Sequence, residues 1–208
     1  MYNRKDHYYK KAKEEGFASR AVYKFEQIQQ KYKVLGKGDV VVDLGCAPGG
    51  WMQILARNIG SAGFVVGIDI LPIKISLPPN SRFISADIND DDIAEKIMAL
   101  LPNKDGKKFP ADVVVSDMAP NTSGVAFKDA YLSYELNVMA LSAAFRLLKD
   151  GGNFVCKQFQ GEEVNTLRVL LRKAFTKVEF FTPPATREAS KEFYFVAKGL
   201  RDRTIELF

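Results

Sequence analysis

Three consecutive valines, Val40 to Val42, run directly into Asp43-Leu44-Gly45-Cys46-Ala47-Pro48-Gly49-Gly50-Trp51, and Met52-Gln53-Ile54-Leu55-Ala56 follows with helical spacing. A buried strand, a glycine-rich turn and a helix start in that order form the usual seat of a nucleotide-like ligand in an open α/β sheet. Glycines let the backbone approach a ligand where a Cβ would intrude. The turn lacks the Gly-x-Gly-x-x-Gly spacing of dinucleotide sites, and Pro48 withdraws an amide that a pyrophosphate would use. A phosphate-free ligand fits better than NAD, and S-adenosylmethionine is the obvious one. The competing view is a tight turn that holds nothing.

The rest of the chain alternates. Apolar runs predict strands at 40–44, 64–68, 82–85, 112–116, 153–157, 177–181 and 192–197, and helices fit at 50–58, 91–101, 128–148 and 163–175. Ser19 is placed to cap a further helix carrying Ala21, Val22, Phe25 and Ile28, and Gly151-Gly152 to stop the long helix before the fifth strand. Alternation of this kind builds a mainly parallel, Rossmann-like sheet with helices on both faces. Between the last two strands lies only 182–191, with Pro183-Pro184, so the seventh strand returns antiparallel. At 208 residues and 47% hydrophobic content, one domain over 1–208 is expected: a basic segment 1–37, a core 38–198 and a tail 199–208.

The net charge of +5 is confined to one end. Residues 1–37 hold ten Lys/Arg against four Asp/Glu, hence +6, and the remainder sums to −1. Tyr2, His7, Tyr8, Tyr9, Phe17 and Tyr23 are interleaved with that charge, as in segments that grip a polyanion and stack on unpaired bases. No run approaches the ~18 apolar residues of a membrane span and no signal peptide is visible. Cys46 and Cys156 read as reduced thiols of a cytoplasmic protein. With His7 the sole histidine, no metal cluster is expected.

Charged residues recur where the strands end. Asp69, about 24 residues beyond Gly45, is placed to accept both hydroxyls of a ribose, with Ile70 beside it; Asp87, with Ile88, could accept an adenine amino group. Asp117 opens Met118-Ala119-Pro120-Asn121-Thr122-Ser123-Gly124, a stiffened polar loop suited to a substrate. Lys157 closes an apolar strand, an expensive position unless the ammonium is paired or working. Glu192 opens the last strand.

In these residues the chain closely resembles the FtsJ/RrmJ-like (RlmE-type) family of ribosomal RNA 2′-O-ribose methyltransferases. The resemblance spans roughly Tyr8 to Lys198. Its pieces are Ser19-Arg20-Ala21-Val22-Tyr23-Lys24, the Asp43–Trp51 turn, the 116–124 loop, Lys157-Gln158-Phe159-Gln160-Gly161, and Arg187, Ser190, Glu192 and Tyr194. It implies a catalytic Lys-Asp-Lys-Glu tetrad at Lys24, Asp117, Lys157 and Glu192. It also implies S-adenosylmethionine held by Gly45, Ala47, Pro48, Gly49, Gly50, Trp51, Asp69, Ile70, Asp87, Ile88 and Asp117. The implied substrate is a uridine of large-subunit ribosomal RNA within the subunit, met by a monomer without an obligate protein partner.

Methyl transfer to a ribose hydroxyl asks the protein to orient two partners and manage one proton. Lys157 is the candidate for taking that proton or for stabilising the developing alkoxide. A lysine base must be neutral, whereas lysine in water titrates at about 10.4; a neighbouring cation favours neutrality and neighbouring carboxylates oppose it. Alternatives are a tRNA or mRNA-cap methyltransferase, a non-catalytic RNA-binding assembly factor, and a small-molecule methyltransferase, which would leave the basic segment without a purpose.

Overall fold

The computed structural model describes residues 7–104, 107–108 and 110–207; Tyr2, with Arg4 and Lys5 of the basic end, lies outside them. In chain order the elements are α1 (His7–Glu14), α2 (Val22–Tyr32), β1 (Val40–Leu44), α3 (Gly50–Ile59), β2 (Phe64–Asp69), β3 (Ser81–Ser85), α4 (Ile93–Leu100), the short pair β4 (Asn103–Lys104) and β5 (Lys107–Lys108), β6 (Ala111–Ser116), α5 (Ala126–Leu147), β7 (Leu148–Phe159), α6 (Val164–Ala174), β8 (Phe175–Phe181) and β9 (Glu192–Leu200).

Seven strands make one sheet in the order β3-β2-β1-β6-β7-β9-β8. β3, β2, β1, β6 and β7 pair in parallel, while β9 is antiparallel to both β7 and β8. The Rossmann-like sheet with an antiparallel last strand is therefore present. The last strand inserts between two earlier ones, so Glu192 and Tyr194 lie beside Phe159 and Lys157.

Strands covered on both faces must be apolar throughout, and every residue of β1 is buried. Val40, Val42 and Leu44 pack into a core shared with α4, α5 and α6. Val41 faces the opposite core, where α2 and α3 contribute Phe25, Ile28, Ile54 and Leu55.

Three local expectations change. Ala21, not Ser19, precedes α2, and no side chain caps that helix; Ser19 instead presses its hydroxyl against Gly50, where a Cβ would come within 2.5 Å of it. The glycine pair does not stop α5. Leu148 is already extended and pairs with Ala111, and Gly151, at φ 75°, sits inside a register shift of β7. The helix α1 was not foreseen, because its pattern is polar and Ala12 is its one buried residue.

An aromatic cluster ties α1 down. Tyr8 lies 5.2 Å from Tyr23 between centroids and Phe17 meets Tyr23 edge-on at 6.4 Å. Tyr23 is 2% exposed and its hydroxyl donates to Glu15 at 3.0 Å; burial first, then Glu15, hold that phenol well above its ordinary value. The rings Tyr8, Phe17 and Tyr23 thus pack on one another rather than waiting for bases. Tyr9 remains outside, 58% exposed.

Candidate active site

β1, β2, β3 and β6 all end on one side of the sheet, and between their carboxyl ends lies a cavity of about 450 Å³. Gly45, Ala47, Asp69, Ile70, Asp87, Ile88 and Asp117 line it, with Leu71, Met118 and Leu136 adding apolar walls. Gly45, at φ 76°, belongs where a side chain could not go: a Cβ would meet Met118 Cγ at 2.4 Å. Asp69 is anchored by amides, accepting from Ala47 at 2.8 Å on one oxygen and from Leu71 at 2.8 Å on the other. Asp87 accepts from the backbone and side-chain nitrogens of Asn89 through a single oxygen.

Pro48, Gly49, Gly50 and Trp51 do not line this cavity. Gly49, at φ 110°, bends the chain into α3. The Trp51 indole is committed to the protein: it donates to the Ala21 carbonyl at 2.9 Å, stacks on Tyr194 at 5.8 Å and meets Phe25 at 5.1 Å.

The four tetrad residues form two ion pairs. Lys157, 6% exposed at the end of β7, places Nζ 3.0 Å from Asp117 Oδ1 and 2.5 Å from the Asp117 carbonyl oxygen. Lys24, in the first turn of its helix, pairs with Glu192 at the start of β9. Tyr194, two residues along the same strand and so on the same face as Glu192, donates its hydroxyl to Asp117 Oδ1 at 2.7 Å. Burial works to raise the Asp117 pKa, but the charges of Lys157 and Lys24 and the Tyr194 hydrogen bond prevail and hold it below the usual carboxylate range. Burial and the neighbouring Asp117 and Glu192 keep the Tyr194 phenol protonated far above its ordinary value. Asn137, buried in α5, donates to the Lys157 carbonyl at 2.7 Å and to Gln158 Oε1 at 2.7 Å, fixing the strand end from behind.

Asp43 was hidden in the apolar run. It is fully buried, and both its carboxyl oxygens lack a hydrogen-bond partner among the described residues. Burial, then Asp117 and Asp69, push its pKa well up. A cationic ligand in the adjoining cavity is drawn to the acidic side chains that line it, Asp69, Asp87 and Asp117, and an anionic one is repelled. None of the described residues lining the cavity is basic, so a pyrophosphate would find no counter-charge. A nucleoside bearing a sulfonium fits.

A family model described as FtsJ-like methyltransferase matches residues 17–200. The chain belongs to the FtsJ-like methyltransferases. Among similar proteins is the ribosomal RNA large subunit methyltransferase E of Bdellovibrio bacteriovorus, 43% identical over 195 residues, covering 94% of this chain and 96% of that one. The protein of the same name from Methanocaldococcus jannaschii is 41% identical over 198 residues, covering 95% and 80% respectively. A crystal structure from Plasmodium falciparum described as a ribosomal RNA methyltransferase superposes with a TM-score of 0.74 at 28% identity, over 88% of this chain and 98% of that one. The FtsJ-like chain is a methyltransferase whose methyl donor is S-adenosylmethionine.

One feature of this FtsJ-like site escapes sequence reasoning. Tyr194 stands in the Arg187-to-Tyr194 motif, but its bond to Asp117 depends on the insertion of β9. Cys46 and Cys156 are free and buried, and burial raises both thiols, so neither is a nucleophile.

Proposed function

We propose that this protein methylates the 2′-hydroxyl of a ribose in large-subunit ribosomal RNA, the target being a uridine. One observation carries the reading: Asp117 both lines the cofactor cavity and holds Lys157 at 3.0 Å, so a hydroxyl set against Lys157 faces the mouth of that cavity. The names and full-length similarity of the relatives support large-subunit RNA as substrate.

Bound S-adenosylmethionine supplies an electrophilic methyl group together with its own leaving group. The protein's residues do the rest. Asp69 and Asp87 take the ribose hydroxyls and the adenine amino group, Ile70 and Ile88 border the base, and Gly45 and Ala47 shape the floor. Pro48, Gly49, Gly50 and Trp51 act behind the cavity wall, the Gly49 amide closing the turn on the Cys46 carbonyl at 2.7 Å, and so hold Gly45 and Ala47 in place rather than touch the cofactor. Asp117, an anion at neutral pH, orients the Lys157 ammonium toward the attacking oxygen, and Tyr194 holds Asp117 in place. Lys24 and Glu192 confine the ribose on the other side.

Lys157 acts as a cation, stabilising negative charge as it develops on the 2′ oxygen. The hydroxyl proton passes to water as the O–CH3 bond forms, so the 2′ oxygen carries negative charge where Lys157 meets it and the product is a neutral ether. Residues 38–198 form the catalytic core of one domain, 1–37 contact RNA, and the protein works as a cytoplasmic monomer on the ribosomal subunit.

The test is to incubate the protein and methyl-labelled S-adenosylmethionine with large ribosomal subunits, and with their naked RNA, and map the modified nucleotide. One 2′-O-methyluridine is expected. Label on a base atom, or none on RNA, would overturn the proposal.

A further inference from the structure

The positive charge that the cofactor cavity lacks is gathered on the opposite side of the glycine turn. There α1, the 16–20 connection, α3 and the loop after β2 enclose a second cavity of about 610 Å³. Lys13, Arg20 and Lys74 bring three cations to its wall, Tyr9 brings an exposed ring, and none of the described residues lining it is acidic. Lys74 was not singled out by the sequence, since it lies far from the basic segment in an unpatterned loop.

The cavity is built rather than accidental. Gln53 pins its rim, accepting from the Ala18 amide at 2.9 Å and donating to the Gly16 carbonyl at 3.1 Å. The Lys74 amide donates to the Pro48 carbonyl at 2.9 Å. Gly49 and Gly50 are in contact with Ile75 and Ser19, leaving no room for a Cβ. The wall therefore rests directly on the turn whose other end forms the cofactor cavity. The Arg20 guanidinium donates to the Ala185 carbonyl and lies 5.7 Å from the Tyr8 ring, which joins the cavity to the segment that leads into Glu192.

We propose that this second cavity receives one unpaired nucleotide of the substrate RNA flanking the methylated one, its base against Tyr9 and its phosphate on Lys13 and Lys74. The inference rests on the RNA-methylation reading above. Its chemistry is that of a single-strand site: an aromatic face, which every base can use, beside cations that track the backbone. An acid-free wall admits a phosphate, and the volume admits a base with its sugar.

The test uses the full chain with Lys74→Ala, Tyr9→Ala and both together, since neither residue lines the cofactor cavity or touches the four tetrad residues. Large-subunit RNA is the probe, and binding is measured without turnover alongside KM, kcat and cofactor affinity. Each single change is expected to raise Kd and KM for RNA about tenfold, with kcat and cofactor affinity within twofold. Lys74→Ala should also lower the log–log salt slope of binding by about 0.7–0.9; Tyr9→Ala should not, because it removes stacking and no charge. Lys74→Arg should restore the slope. Unchanged RNA affinity in the double variant, or a loss confined to kcat, would overturn the inference while leaving the RNA-methylation reading intact if the wild-type protein still modifies the same RNA. No RNA binding or transfer by the wild-type protein would overturn both.

Discussion

Two cavities lie on either side of the Gly45–Gly50 turn, and their charges are opposite. Among the described residues, one is walled by Asp69, Asp87 and Asp117 with no basic residue, and the other by Lys13, Arg20 and Lys74 with no acidic one. A cation of nucleoside type is drawn to the first and a phosphate backbone to the second, so each ligand is excluded from the other's place as well as attracted to its own. At the edge of the first, Asp117 carries the two signs together: it pairs with Lys157 and feels the charge of Lys24, which is itself paired with Glu192. Segregation of charge by one turn is what allows two substrates of opposite charge to converge on one hydroxyl.

The sharpest way to break this division is at the seam. Lys157→Ala is expected to lower kcat by at least 10²- to 10³-fold, the scale of a lost oxyanion-type donor, with cofactor affinity within twofold by calorimetry. Lys157→Arg should keep measurable activity, because arginine stays charged. Complete loss in the arginine variant, at unchanged RNA and cofactor affinity, would instead assign a neutral base.

On the acidic side, Asp69→Ala and Asp87→Ala should each weaken cofactor binding by about tenfold to a hundredfold. This corresponds to a charged hydrogen bond of roughly 1.5–3 kcal/mol. RNA affinity should stay unchanged. A shift in RNA affinity in either variant would mean that the two cavities are not separate in function.

On the basic side, neutralising Lys10, Lys11 and Lys13 together should flatten the salt dependence of RNA binding. Lys11 already lies 4.7 Å from the Tyr23 ring centroid and 3.8 Å from Glu15, so two phosphate contacts rather than three are expected. The slope should fall by about 1.5. An unaltered slope would mean that these lysines are merely solvated.

Asp43 gives the smallest effect and the clearest sign. Its pKa is raised by folding, so the folded state binds the proton more tightly than the unfolded one. Stability of the cofactor-free protein then declines as pH rises from the unfolded carboxyl value near 4 through the folded value. Asp43→Asn, neutral throughout, should flatten that decline and raise Tm at pH 7 by a few degrees, about 2–4 °C for each kcal/mol. A pH profile that keeps the wild-type slope would show that Asp43 is not the group responsible.

Much of this was legible in the chain because continuous apolar runs punctuated by glycine leave few alternatives to a parallel sheet. The strand ends were legible for the same reason, and with them Asp69, Asp117 and Lys157. Pairing was not. Glu192 neutralises Lys24 rather than Lys157 because β9 inserts between β7 and β8, a matter of register that no local pattern carries. Tyr8, Phe17 and Tyr23 misled because an aromatic between lysines has the same pattern whether it stacks on a base or on another tyrosine. Asp43 was overlooked because a carboxyl group within valines looks like the end of a strand, although the fold encloses it.

The place of β9 also sets an order in time. A chain still being synthesised, and complete only as far as residue 191, already carries the cofactor cavity, Lys24, Asp117 and Lys157, but β7 and β8 have a gap where their common neighbour belongs. Neither Glu192 nor Tyr194 exists to engage Lys24 or Asp117. Domains fold as units, so the two ion pairs and the Tyr194–Asp117 bond are complete only once β9 has been made and has entered between β7 and β8.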